Sequence, residues 1–223
     1  MHTHHHRLLG TTAVAVLLVV AAALDTLEQV LSPLTSSSTR ADVLAISQHQ
    51  TRFEVSVLVG IVATALFLPG LLGLAARTAE RAPVASRIAA GLVCLGFPGF
   101  MAIRLGQAFE LQGVRDDLPP STTAHLVDHI SSNPIGMPIL IFFLAGTVLG
   151  ILALGVAAWR AGLPRPAAVL VAAFGIVDNV TEGVVPGWLS HLVLLVGLGW
   201  IAVALVQSDR ASESAEPDAR VAA

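Results

Sequence analysis

The chain of 223 residues has no lysine, no tyrosine and a single cysteine, and it has few charges for its length. Charged residues make up 12% of it, whereas a typical soluble domain carries about 25%. With Cys94 alone, the chain can form no internal disulfide, no cysteine-based metal site and no redox pair. The formal net charge of -3 argues against nucleic acid as a partner.

Long apolar runs fill most of the sequence, which is 55% hydrophobic. A helix needs about 20 mostly apolar residues to cross a membrane. Six segments meet or approach this length: 8–31, 55–76, 85–110, 135–159, 166–183 and 186–206. The sequence therefore predicts an all-α membrane protein, a bundle of six transmembrane helices over residues 8–207. We expect residues 1–7 to form a cytoplasmic leader and residues 208–223 a disordered cytoplasmic tail.

The arginines, which supply all twelve basic side chains, alternate between the two sides of this topology. One side receives Arg7, the group 77–87, Arg160, Arg165 and the tail, and the other receives only Arg40, Arg52 and Arg115. The positive-inside rule then places both termini in the cytoplasm. The absence of lysine and the wealth of alanine, glycine, valine and leucine indicate a bacterial plasma membrane, in a high-GC organism of actinobacterial type.

The first segment has a second interpretation. Arg7, the apolar stretch and the three alanines at 21–23 also fit a secretory signal with a cleavage site. The apolar run continues to Leu31, which favours a retained helix.

Two long loops face outward in this topology, and each contains a helical pattern. The first, 32–54, shows it around Val43 and Ile46, and the second, 112–134, shows it after a cap at Ser121. We expect both to be interfacial helices lying over the bundle. Gly146 and Gly150 form a small-xxx-small pair, which predicts a helix-packing face within the chain or in a homo-oligomer.

Ionisable groups inside or at the ends of the apolar segments are the strongest functional clue. Each costs about 2.5–3.5 kcal/mol to insert, so such groups rarely occur without a partner or a function. The topology places them all in the outer half, together with two amides, and predicts a polar pocket formed by Asp25, Glu28, Arg104, Gln107, Glu110, Asp178, Asn179, Glu182 and His191. Asp178 is the deepest of them, and Arg104 is the one basic side chain at comparable depth. We therefore predict a direct or water-bridged contact between Arg104 and Asp178, with Asp25 as the competing partner.

The motif HLVDH places His125, Asp128 and His129 on one face of a helix. Two histidines at i, i+4 with a carboxylate can hold a divalent metal, zinc above all, if the loop brings in His191, Glu182 or His49 as a further ligand. A solvated polar face explains the same spacing, so no cofactor is expected and a metal is the alternative.

A resemblance to a known family rests on FFLAGTVLGILALGVAAWRAGLPRPAAVLVAAFGI, residues 142–176. The matching residues are Phe142, Phe143, Gly150, Gly162, Pro164 and Arg165. The segment resembles the Phe-rich helix, short turn and following helix of an uncharacterised family of bacterial multi-pass membrane proteins that is common in actinobacteria, and LPGLLGLAARTAERAP at 68–83 is similar in style. The resemblance spans about half of the chain. It implies a six-pass bundle and no activity.

Three functions follow as hypotheses. The first is an outward-facing pocket that binds or passes a small solute, an ion or a lipid headgroup. The second is a metal-assisted membrane hydrolase that uses His125, Asp128, His129 and His191. The third is a structural or accessory subunit whose charges serve assembly. Membrane lipid is the expected partner throughout, and the sequence favours a function other than catalysis.

Overall fold

A computed structural model describes residues 9–34, 38–134, 136–180 and 186–221. Eight helices and no strand are found in these ranges. Five of the helices contain a segment long and apolar enough to cross a membrane: α1 (Thr11–Leu31), α3 (Gln50–Thr78), α4 (Pro83–Arg115), α6 (Gly136–Arg160) and α8 (Gly187–Val221, spanning over Gly187–Ala211). The chain is thus an all-α, multi-pass membrane protein.

The fifth predicted segment, 166–183, appears as helix α7 (Arg165–Val180). Its 16 residues measure about 24 Å at 1.5 Å each, less than the ~30 Å of a bilayer core. Residues 181–185, which include Glu182 and most of the predicted turn into the last helix, lie outside the described residues. The structure therefore confirms five spans by length and composition and leaves the sixth a prediction.

The two long loops each contain a short helix, as the sequence predicts. Helix α2 (Thr39–Gln48) begins after Ser38, whose side chain accepts a hydrogen bond from the Ala41 N–H at 3.2 Å, the usual N-cap contact. Helix α5 (Pro120–Ser132) starts one residue before the predicted cap at Ser121. The hydroxyl of Thr39 donates to Asp128 at 2.6 Å and joins the two helices.

The six longer helices form a ring in which each packs antiparallel to its neighbours. The order is α1, α3, α4, α6, α7 and α8, and the contact between α1 and α8 closes it. Facing residues show the antiparallel packing, because their numbers rise along one helix as they fall along the other. Gly70 of α3 meets Leu18 of α1, while Gly60 lies against Glu28. The largest apolar core lies toward one end of the bundle, with Leu18, Leu74, Leu154 and Leu198 among its buried members.

A second, smaller core lies at the other end of the bundle. Val43 and Ile46 of α2 pack there with Phe53 of α3 and Leu111 of α4, and Ala124 of α5 completes the contact. The apolar faces of the two short helices therefore cover the end of the bundle that holds the buried charges.

Helices α4 and α6 make the closest contact in the ring. A Cβ added at Gly96 would collide with the Cα of Gly146, and one at Gly150 would come within 3.3 Å of Leu92 and Val93. The predicted packing face at Gly146 and Gly150 is confirmed, and in this structure it serves a contact within the chain.

Helix α6 is irregular at this contact, because the backbone is π-helical over Ala145–Gly150. A single π-turn inside an α-helix often accompanies a functional site. Here it presents Gly146 and Thr147 toward the centre of the ring.

Helix α8 continues beyond its spanning segment to Val221. The backbone from 208 to 221 is therefore helical in the region where the sequence predicts a disordered tail.

Candidate functional site

Arg104 and Glu28 form a buried, two-pronged ion pair. The guanidinium contacts both carboxylate oxygens, Nη1 to Oε1 at 2.9 Å and Nη2 to Oε2 at 3.1 Å. Such bidentate pairs are among the strongest charge-assisted contacts in proteins. Gln107, one turn further along α4, accepts from Nη1 at 3.2 Å. Glu28 is 1% exposed and Arg104 is 5% exposed, so the pair is removed from solvent.

Gly60 makes this contact possible. Helix α3 lies between α1 and α4 in the ring, so the arginine of α4 must cross α3 to reach the glutamate of α1. A Cβ at position 60 would lie 2.9 Å from Arg104 Cζ and 3.1 Å from Glu28 Cγ. The missing side chain of Gly60 provides the space in which the guanidinium lies.

The direct form of the predicted contact between Arg104 and Asp178 is not found. Arg104 Nη2 lies instead 3.5 Å from Oδ1 of Asp25, the competing partner, in addition to its pair with Glu28. The depth of a group along its helix says nothing about the lateral order of the helices, and α7 and α4 stand on opposite sides of α6 in the ring.

His191 links Asp25 to Asp178. Its Nδ1 is 2.5 Å from Oδ2 of Asp25, and its Nε2 is 3.4 Å from Oδ1 of Asp178. Ser190 donates a second hydrogen bond to that Asp178 oxygen at 2.6 Å. A neutral imidazole has one N–H donor, so carboxylates on both ring nitrogens are matched only by the doubly protonated ring. The geometry therefore suits a histidinium between two aspartates.

We call the group Glu28, Arg104, Asp25, His191 and Asp178 the charge network. It crosses from α4 through α1 and α8 to α7, so it ties four of the six ring helices together. Its exposure rises along this path: the side chain of Asp25 is 3% exposed, and that of Asp178 is 33% exposed.

The remaining predicted pocket residues have different outcomes. Gln107 joins the network through Arg104. Glu110 lies half-buried further along α4, and the hydrogen bonds found among the described residues do not include it. Asn179 belongs to α7 but its side chain, like the whole of Glu182, lies outside the described residues.

The HLVDH motif lies on α5, with His125, Asp128 and His129 all exposed. The two imidazole rings stack with centroids 6.1 Å apart, and Asp128 accepts the hydrogen bond from Thr39. Within the described ranges, no group of three or more His, Cys, Asp and Glu side chains is arranged to hold a metal. His191 is buried in the charge network. The metal hypothesis gains no support from this geometry.

A cavity of about 100 Å³ lies at the centre of the ring, and all six helices line it. Its members include one residue from each: Asp25, Phe67, Phe100, Phe143, Asp178 and His191. A cavity needs about 10–15 Å³ to hold one water molecule, so this cavity has space for more than one.

The two ends of the cavity differ in chemistry. Asp25, Asp178 and His191 of the charge network meet at one end, whereas Leu71, Val93 and Ile151 line the other. Along α3, the lining runs from Thr64 to Leu71, seven residues or about 10 Å. The site is therefore an apolar chamber with an acidic end, and Asp25, Asp178 and His191 are the described residues of the predicted polar pocket that line it.

Five of the eight phenylalanines in the chain line this chamber: Phe67, Phe97, Phe100, Phe143 and Phe174. The rings connect the chamber to the charge network, since Arg104 Cζ is 5.3 Å from the Phe100 centroid and His191 meets Phe174 edge-on at 5.2 Å. Phe100 and Phe143 stack at 5.4 Å. Sequence reasoning missed this set, because apolar side chains in a membrane segment do not show which face is lipid-exposed.

Comparison of the chain with protein-family models, with curated proteins and with solved structures found no match. The roles given to residues below therefore rest on geometry and chemistry alone. Fold and site together define a multi-pass membrane protein with an aromatic chamber at the centre of its helix ring.

Proposed function

We propose that this is a six-pass protein of a bacterial plasma membrane with both termini in the cytoplasm. Helices α6 and α8 run in the same direction, because each is antiparallel to α7, so the chain must return across the bundle between them. Helix α7 makes that return in the described part of the chain. The distribution of arginines between the two ends of the bundle supports the orientation. Arg81 donates to the Ala161 carbonyl at 3.0 Å, so the connections that follow α3 and α6 lie together at the arginine-rich end assigned to the cytoplasm.

We infer further that the protein binds a small, largely apolar molecule in its central chamber. One observation carries this inference: all six ring helices contribute side chains to a cavity that has apolar walls and a few convergent polar groups. Ligand sites in proteins share this composition. Passage of the same molecule across the membrane would use the same chamber, so binding is the property to test first.

A structural role is supported for one part of the charge network. Arg104 and Glu28 do not line the chamber, and their paired oxygens and nitrogens are matched to each other. We assign this pair to holding α1, α3 and α4 in register and to positioning Asp25. The residues that meet a ligand are then Asp25, Asp178 and His191.

The experiment fills the chamber. We expect Thr147→Phe, which adds a ring inside the cavity, to abolish the binding of benzyl alcohol by the full chain in phosphatidylcholine nanodiscs. Leu149→Phe adds the same ring two residues away on α6, where the side chain is 51% exposed, and should bind like the wild type. Saturation-transfer NMR with empty nanodiscs as blank measures binding, and thermal unfolding shows that both variants fold. Equal binding by both variants, or none by the wild type, would contradict the proposal.

A further inference from the structure

The chamber's acidic end has more negative than positive charge. The charge network holds three carboxylates, Asp25, Glu28 and Asp178, against Arg104 and His191 among the described residues. Glu28 and Arg104 compensate each other at 2.9 Å. What remains are two aspartates on either side of one imidazole, so with His191 fully protonated one negative charge is still uncompensated.

One carboxylate oxygen of Asp25 accepts no hydrogen bond. The residue is 2% exposed and lines the chamber, yet its Oδ1 receives no hydrogen bond. Arg104 Nη2 approaches this oxygen only to 3.5 Å. A buried carboxylate oxygen without a hydrogen bond is costly and calls for a donor. A ligand in the chamber with an N–H donor would supply it.

The walls next to this end suit an organic cation rather than a bare metal ion. Hard metal cations take six or more oxygen ligands, whereas most of the lining side chains are apolar. Phenylalanine faces attract ammonium groups within about 6 Å of the ring centroid, and this attraction grows when water is excluded. Phe100 already receives one cation in this way, the guanidinium of Arg104.

The chamber's size restricts the organic part of the ligand. A cavity of about 150 Å³ lined by Leu, Ile and Phe admits benzene. The present cavity is about 100 Å³ and ends at carboxylates. Because this volume is smaller, the apolar part of the ligand is no larger than a single ring or a short branched alkyl group, and one ammonium group on a short stem matches the charge.

We propose that the chamber selects small hydrophobic monocations, the class of single-ring and short-chain alkyl amines, with the ammonium group at the acidic end beside Asp25 and Asp178 and the apolar part among the phenylalanines. This inference rests on the proposed function, because it requires that the chamber bind a ligand at all. It adds the charge and the size class of that ligand.

The test compares three ligands with the same ring and three charges: benzylamine, benzyl alcohol and benzoate. The full chain is placed in nanodiscs of net-neutral phosphatidylcholine, and dissociation constants are measured by titration calorimetry with empty nanodiscs subtracted. We expect benzylamine to bind at least about ten-fold more tightly than benzyl alcohol, the effect of one charge-assisted contact, and benzoate to bind weakest.

Two carboxylate variants locate the charge preference. In Asp178→Asn, whose side chain is partly exposed and so least needed for folding, the ratio of alcohol to amine dissociation constants should fall below about three-fold. Asp116→Asn removes an exposed carboxylate that accepts from Gln112, away from the chamber, and should keep the wild-type ratio.

The outcomes separate the two proposals. Equal affinities for benzylamine and benzyl alcohol in the wild type would overturn the cation preference and leave ligand binding in place. An unchanged ratio in Asp178→Asn would also overturn it, because the preference would then come from elsewhere. If none of the three ligands binds, the proposed function fails and the cation preference with it.

Discussion

The pair formed by Arg104 and Glu28 has an exposed counterpart in the same molecule. Arg115 and Glu54 join α4 to α3 at 2.6 Å, with side chains 43% and 39% exposed, against 6% and 1% for Arg104 and Glu28. Both pairs are Arg–Glu, so they differ chiefly in burial. Removing one member of a buried pair leaves the other charge without compensation, whereas water compensates an exposed one.

We expect Glu28→Gln to lower the free energy of unfolding by about 3–5 kcal/mol, because buried Arg104 would lose its bidentate carboxylate and keep only the approach of Asp25 at 3.5 Å. Glu54→Gln removes the same charge from the exposed pair and should cost about 0–1 kcal/mol. Reversible unfolding of both variants in mixed detergent micelles measures the difference. Similar losses in the two variants would mean that the buried pair is not stabilised in the manner proposed.

At this scale, the sequence predicts which groups matter better than it predicts how they pair. Burial of Asp25, Glu28, Arg104 and His191 follows from charges placed inside apolar segments, and all four meet in one network. Arg104 can reach Glu28 only because Gly60, which lies between them, has no side chain. Gly60 lies there because of the order of the helices around the ring. No local pattern carries that order.

The helices themselves depend on small residues where they approach most closely. Gly96 of α4 and Gly146 of α6 bring two backbones together beside the chamber, and Gly175 of α7 lies against the carbonyls of Thr147 and Val148. Interfaces of this kind are usual between membrane helices, where apolar side chains gain little by leaving lipid for protein. Close approach of α4 and α6 places Phe100 against Phe143 and so builds one wall of the chamber.

We expect Gly96→Ala to lower the free energy of unfolding by about 1–3 kcal/mol, the usual cost of overpacking, because its new methyl group would collide with the Gly146 backbone, which cannot move aside. Gly91→Ala is the matched control on the same helix, since a Cβ there meets nothing within 4 Å. Thermal unfolding midpoints in one detergent measure both. If Gly91→Ala destabilised as much as Gly96→Ala, the glycine contact between α4 and α6 would be ruled out as the cause.

Element boundaries show how far periodicity and hydropathy reach. Segments 55–76 and 85–110 are found as α3 and α4, but both helices extend beyond these bounds, to Gln50 and Arg115, where they pack under α2 and α5. Apolar length alone underestimates them because these added turns are polar on one side. The π-turn at Ala145–Gly150 has no sequence signature that separates it from an ordinary glycine pair.

Across the whole molecule, ring closure explains both the chamber and the network. Six helices that pack mainly with their neighbours enclose a space at the centre, and the chain follows the ring from each helix to its antiparallel neighbour. The contact between the first and last helices closes the ring, and Asp25 and His191 meet at that contact. The charge network therefore lies at the contact between the first and the last helix of the transmembrane domain.

Whether α7 crosses the membrane decides how many times the whole chain crosses it. With Cys94→Ser as background, the chain has no thiol, so single cysteines report the side of the membrane on which each position lies. If α7 crosses, Pro186→Cys should react with a membrane-impermeant maleimide in intact spheroplasts, as should Asp116→Cys at the end of α4. Arg165→Cys, at the start of α7, should react only after permeabilisation, because the connection from α6 is then cytoplasmic. Labelling of Pro186→Cys and Arg165→Cys from the same side would contradict both the crossing by α7 and its antiparallel packing between α6 and α8. The protein would then have five crossings and termini on opposite sides of the membrane.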